Sequence, residues 1–269
     1  MYPWRRILLP TDFSTASEWA FDDAIHLAGA TGAELVILHI RMTRTSRPNE
    51  LRFPADEALY EYAEREELQK LRDRARRANA SVATRLVVRA APDPAAEIHR
   101  AAAEESADLV VIATHARHHV AHLIIGSTTK SVITNPPAPT LAIRYGVRKR
   151  LALRRIVVPV HLRQQSNAAA ELAAAIARPA QGDVHLLMVC DDSRRTEADA
   201  MLSELATRVF EGLTPKLAIV NGDDVERELV RYADEHDVDA VFVNAQSELS
   251  ELKQSIIRRI GTPVMIVPA

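Results

Sequence analysis

The sequence predicts an α/β protein built from two tandem doubly wound domains, each with a five-stranded parallel sheet and helices on both faces. Three observations predict it. Short apolar runs alternate with helix-period stretches; the order of elements starts again after about 145–150 residues; and 47% of the 269 residues are hydrophobic while only 4% are aromatic, so the cores must be Ala, Val, Leu and Ile. The length alone suggests two domains.

Taken in order, Arg6-Ile-Leu-Leu-Pro10 reads as a buried strand ended by proline. Ser14 is then a candidate N-cap for a helix running to about Gly32, with Ala20, Ala24, Leu27 and Ala28 on one face. Glu34–Ile40 is a second strand, and a basic loop, Arg41 to Arg52, leads into a long charged helix over about Pro54–Asn79. Ser81–Arg89 is a third strand, followed by a helix over Asp93–Glu105 with Pro94 in its first turn. Leu109–Ala113 is a fourth strand, Gly126–Ile133 a helix and Pro139–Arg144 a fifth strand. The pattern then repeats: Arg155-Ile-Val-Val-Pro159, Val184–Cys190, Lys216–Val220, Asp239–Asn244 and Gly261–Val267 match the five strands in turn. The expected division is residues 1–146 and 152–269. Tyr145–Leu153 is the expected linker, and its Arg148-Lys-Arg150 reads as a solvated charge cluster rather than a nucleic-acid patch.

Bulk properties exclude several classes. No apolar run approaches the ~18 residues a membrane helix needs, and the N-terminus has no signal-peptide core, which predicts a cytoplasmic protein with no membrane partner. One cysteine, Cys190, permits neither an internal disulfide nor an all-Cys metal site, and is expected in the core. Net charge is −2, which gives no field for nucleic acid. The halves differ mildly: residues 1–150 carry 21 Lys+Arg and 18 Asp+Glu, residues 151–269 carry 13 and 18. The eight glycines form neither a G-x-G-x-x-G nor a P-loop, and no catalytic triad or carboxylate pair can be assigned.

The stretch Ala113–Ser131 carries the chemistry. It leaves a buried strand, crosses a polar loop and ends at Gly126-Ser127-Thr128, the expected start of a helix. Unpaired N–H groups and the positive end of a helix dipole make such a start a place for anions. His115, His118, His119 and His122 fall at i, i+3, i+4 and i+7. A zinc or nickel site would need that loop to be helical and no cysteine supports it, so a solvated or phosphate-facing cluster is the expectation.

Pro10-Thr11-Asp12-Phe13-Ser14 after the first strand, Leu38-His39-Ile40 closing the second, Thr114-His115, and Gly126-Ser127 nine residues beyond Arg117 together resemble the universal stress protein family, over nearly the whole chain as two copies. The resemblance implies strand order 3-2-1-4-5, ATP binding in some members, pairing through strand five, and a role in stress survival without a defined catalytic reaction. In that order the crevice at the switch between strands one and four is the ligand site. Asp12 and Ala113 stand just past those two strands. The resemblance also implies a nucleotide loop Gly-x-x-Gly-(nine residues)-Gly-Ser/Thr. Here it reads Ala113-x-x-Ala116-(117–125)-Gly126-Ser127, with alanine at the first two glycines. Each alanine costs roughly 1–2 kcal/mol if a left-handed conformation is required, and ~1.4 kcal/mol is a tenfold loss of affinity.

The residues expected to address a nucleotide, ATP with or without Mg, are therefore Pro10, Thr11, Asp12, Ile40, Ala113, His115, Ala116, Arg117, Gly126, Ser127, Thr128 and Thr129. The second copy has lost the device. Asp12 becomes His161, Thr11 becomes Val160, the loop after its fourth strand has no glycine, and Glu248 and Glu251 stand where phosphate charge would be accepted. Two functions stay open: a regulator holding ATP in the first copy with the second as pseudo-dimer partner, or an interaction module holding no nucleotide. A weak ATPase has no base that can be named. Leu141–Arg144 and Val264–Val267 are apolar edges expected to meet antiparallel; whether whole chains form a homodimer is left open.

Overall fold

The structure is a computed structural model that describes residues 3–43, 54–114, 125–146, 151–162, 166–245 and 250–269. The chain divides into two compact units, Trp4–Val111 and Ile112–Ala269.

In Trp4–Val111, β1 (Arg6–Thr11), α1 (Thr15–Thr31), β2 (Glu34–Met42), α2 (Pro54–Ala78), β3 (Thr84–Ala91), α3 (Pro94–Glu104) and the start of β4 (Leu109–Thr114) follow one another. The strands are parallel in the order β3-β2-β1-β4. Ile7, Leu8 and Leu9 of β1 and Leu35–Leu38 of β2 are fully buried, as strands covered on both faces require, so their sequence is a continuous apolar run without alternation. Ser14 caps α1 by accepting the Ser17 N–H, and Gly32 ends it at φ 75°, a left-handed turn that a Cβ would penalise. Asp93 caps α3 by accepting from the amides of Ala95 and Ala96. β3 begins at Thr84, later than the pattern predicts, because Asn79 Oδ1 takes both the amide and hydroxyl of Ser81 and holds that segment in a turn.

The unit Ile112–Ala269 contains α4 (Ser127–Thr134), β5 (Thr140–Arg144), β6 (Arg155–Val160), α5 (Ala168–Ala180), β7 (Asp183–Cys190), α6 (Arg195–Val209), β8 (Lys216–Asn221), α7 (Val225–Glu235), β9 (Ala240–Asn244), α8 (Ser250–Arg259) and β10 (Val264–Val267). Its strand order β5-β10-β9-β6-β7-β8 contains a complete 3-2-1-4-5 set, β8-β7-β6-β9-β10. β10 also pairs antiparallel with β5, Val264 opposite Ala142 and Ile266 opposite Thr140. Arg144, at the end of β5, donates from Nη1 to the carbonyls of Arg259 and Ile260, capping the C-terminus of α8. Of the expected linker, residues 147–150, with the Arg148-Lys-Arg150 cluster, lie outside the described residues, while Leu151 and Leu153 are buried.

One contact occurs in both copies and fixes the central strand pair. Asp108 Oδ2 accepts from the amides of Arg5 and Arg6 at 2.7 and 2.9 Å. Asp239 Oδ2 accepts from the amides of Arg154 and Arg155 at 3.0 and 2.9 Å. Each carboxylate sits just before its fourth strand and satisfies two donors at the start of the first, setting their parallel register.

Candidate functional site

The loop after β1 is held by side chains of its own unit. Thr11, buried, meets Ser17 Oγ with its hydroxyl at 3.1 Å and accepts the Phe13 amide at the same distance. Phe13 is left-handed at φ 58°, unusual for a bulky residue, and its ring stacks on His39 with centroids 4.3 Å apart. His39 Nδ1–H donates to the Thr11 carbonyl at 3.0 Å, which turns Nε2 toward Glu64 Oε2, 3.7 Å away. Glu64 also takes Arg41 Nε at 2.9 Å, and the Arg41 hydrogen bonds hold its carboxyl below the ordinary value. Asp12 is exposed, and its Oδ1 accepts the amide of Ser14 at 3.0 Å. Pro10 and Ile40 are half-buried at the ends of their strands.

The turn from β4 to α4 belongs to the other unit. Ala113 lies within extended β4 at 6% exposure and is not left-handed, so its methyl carries no conformational penalty there. Thr114 Oγ1 donates to the Ile143 carbonyl at 3.3 Å, fastening the end of β4 to β5. Thr129 is buried, and its hydroxyl donates to the Ala113 carbonyl at 3.0 Å. That bond ties the first turn of α4 to the strand and leaves Thr129 only its amide for a ligand. Gly126 is the N-cap of α4, at φ −58° and ψ 151°, with no side chain capping the helix. Ser127 is exposed and Thr128 half-buried beside those amides. His115, Ala116 and Arg117 lie outside the described residues, as do His118, His119 and His122. Among the described residues no group of three His, Cys, Asp or Glu side chains is placed to hold a metal.

The strand registers align the copies residue by residue. Ile7 pairs with Leu109 where Ile156 pairs with Ala240, so Ala113 corresponds to Asn244. Asn244 is buried, its Oδ1 accepts the Ala169 amide at 2.8 Å, and its Nδ2 donates to the Ser166 carbonyl at 2.9 Å. The side chain thus caps α5 from β9, at the position where the family resemblance implies the first glycine of the loop. No sequence signal announced this; the amide reaches a partner 75 residues earlier. Glu248 lies outside the described residues, and Glu251 falls within α8.

The universal stress protein family model matches the chain twice, over residues 3–144 and 152–268. A Staphylococcus haemolyticus protein assigned to that family is 31% identical over 147 residues, covering 54% of this chain and 87% of its own. A Staphylococcus aureus USA300 relative is 28% identical over 154 residues, covering 54% and 86%. Among solved structures, a universal stress protein from Archaeoglobus fulgidus DSM 4304 superposes with a TM-score of 0.78 at 19% identity, covering 99% of both chains. One from Pseudomonas aeruginosa UCBPP-PA14 gives 0.63 at 16%, covering 99% of this chain and 94% of its own. At these identities the structural likeness speaks for the fold. With two matches taking in nearly all of the sequence, and the repeated strand order beneath them, the chain belongs to the universal stress protein family.

Proposed function

We propose that the chain is a non-catalytic, cytoplasmic stress-response regulator that binds ATP through its first family match, with the second match acting as a built-in dimerisation partner through the β5–β10 pairing. The observation that carries the nucleotide half is the start of α4. Among the described residues its first-turn amides have no side-chain cap, and the Thr129–Ala113 bond anchors them at the end of β4. Uncapped amides at the positive end of a helix favour phosphate oxygens. Exposed Ser127 and half-buried Thr128 add hydroxyls beside them. In this reading ATP, with or without Mg, sets its phosphates against the start of α4. Asn244 in place of Ala113 supports restricting the nucleotide to the first copy.

Calorimetric titration of the full chain with ATP tests this. Saturable binding is expected, weakened at least tenfold by Ser127→Asp, which sets a carboxylate against the phosphates. The substitution faces solvent and suits a helix N-terminus, so it should not lower stability. No heat up to millimolar ATP would favour the interaction module without nucleotide, and equal affinity in the variant would overturn the start of α4 as the phosphate site.

A further inference from the structure

The second copy, without the nucleotide device, carries a cleft of its own. A cavity of about 350 Å³ opens at the carboxyl ends of β6, β7 and β8. That volume is within the range of sites for small organic ligands. Its apolar lining comes from Leu162, Met188 and Val189. Asp191 and Asp223 supply carboxylates, and His161, Arg194 and Asn221 complete the polar lining.

The charge at this mouth follows from the residue-by-residue alignment of the copies. The β2–β3 and β7–β8 registers set Arg41 against Cys190 and Arg89 against Val220. Two cations of the first copy are therefore absent from the second; one residue beyond the first of them Asp191 replaces Met42, and three residues beyond the other Asp223 replaces Pro92. In the first copy the strand-end charges are neutralised locally, Arg41 by Glu61 and Glu64, Arg89 by Glu97 and Glu104. In the second, the guanidinium of Arg194, which lines the cleft, is turned to Glu197 at 3.3 Å. Neither Asp191 nor Asp223 has an ion pair among the described residues. Asp191 Oδ1 accepts the Ser193 amide at 2.9 Å and the Ser193 hydroxyl, and those bonds hold its carboxyl below the ordinary value. Asn221 Nδ2 donates to Asp192 Oδ2 at 2.8 Å, tying the two sides of the rim together.

An apolar floor below two carboxylates that make no ion pair among the described residues favours a ligand with an apolar body and a positive head over phosphate. We propose that this cleft of the second copy binds a small organic cation, a primary amine carried on an apolar body. The ammonium group meets the Asp191 and Asp223 carboxylates while the body lies on Leu162, Met188 and Val189. His161 and Val189 of this cleft align with Asp12 and Ile40 of the first copy, so it is the second copy's counterpart of that place; the proposal does not depend on ATP binding in the first copy.

A matched pair of probes tests the proposal: calorimetric titration of the full chain with phenethylamine and, separately, with 3-phenylpropionate, which share a ring and differ in the sign of charge. Saturable binding of phenethylamine is expected, with none of the carboxylate. Asp223→Asn should weaken the amine roughly tenfold, through loss of one facing charge. Because Asp223 is exposed, thermal unfolding of that variant should match the parent, and Ser127→Asp should leave amine binding unchanged. Absence of saturable phenethylamine binding at millimolar concentrations, binding of 3-phenylpropionate with similar affinity, or unchanged amine affinity in Asp223→Asn would each overturn the proposal.

Discussion

The two copies agree where they build the sheet and disagree where they could meet a ligand. Asp108 and Asp239 make the same pair of amide contacts, and Asp93 and Asp224 cap corresponding helices, α3 and α7. Even the buried glutamates correspond: Glu97 and Glu228 each pair with the arginine three residues on. By the same register, however, Ala113 becomes Asn244 and fully buried Val36 becomes His185. Ala101 becomes Tyr232, whose hydroxyl meets His185 Nδ1 at 3.0 Å. Contacts that set strand register have one geometry and little freedom; these other positions, though inside strands and helices, can change wherever a new partner satisfies the new side chain.

The comparison can be broken at five points of decreasing effect. Asp239→Ala should be the most destabilising, by about 3 kcal/mol, because two strand amides lose a charged acceptor in a buried setting. Asp108→Ala should cost less, since Asp108 is half-exposed where Asp239 is 6% exposed. Urea unfolding of the two variants measures the difference, and equal losses would show that burial does not separate the copies. Asn244→Ala should cost about 2 kcal/mol, leaving the Ala169 amide buried without its cap. The reciprocal Ala113→Asn should abolish the titration heat with ATP; retained binding would mean that this position does not distinguish the copies.

The smallest effect concerns acid. His185 is 8% exposed, and burial pushes its pKa below the ordinary 6.5, with Lys216 and His236 adding to the depression. The folded protein then binds fewer protons than the unfolded chain. Its contribution to stability is intact above about pH 6.5 and declines as pH falls below that value. His185→Gln, which keeps a hydrogen-bonding side chain opposite Tyr232, should flatten the acid side of the stability profile. An unchanged slope would assign the acid response to other groups.

The fold was legible because parallel strands covered on both faces must be apolar throughout. Ile7–Leu9, Leu35–Leu38 and Ile156–Val158 announce themselves. Capping was legible too, since Ser14 and Asp93 precede helix-period stretches. Strand ends were not. β2 continues past Ile40 to Met42 because Arg41 and Met42 pair with Ala90 and Ala91, a contact no local pattern encodes. Leu151 and Leu153 lie next to a basic run that reads as solvated, yet both are buried. At the candidate site, Gly126 as a helix start was readable from its neighbours. The commitment of the Thr129 hydroxyl to Ala113, the plug of Asn244 and the cleft beside Asp223 were not, because each depends on residues brought together from distant parts of the sequence.

The antiparallel seam between β5 and β10 joins segments of a single polypeptide. A pairing that separate subunits would make only above some concentration becomes, here, a unimolecular event governed by the effective concentration the covalent connection imposes. Dilution therefore leaves this seam intact. The cost falls on assembly, since strands some 120 residues apart must find one another before the seam can close.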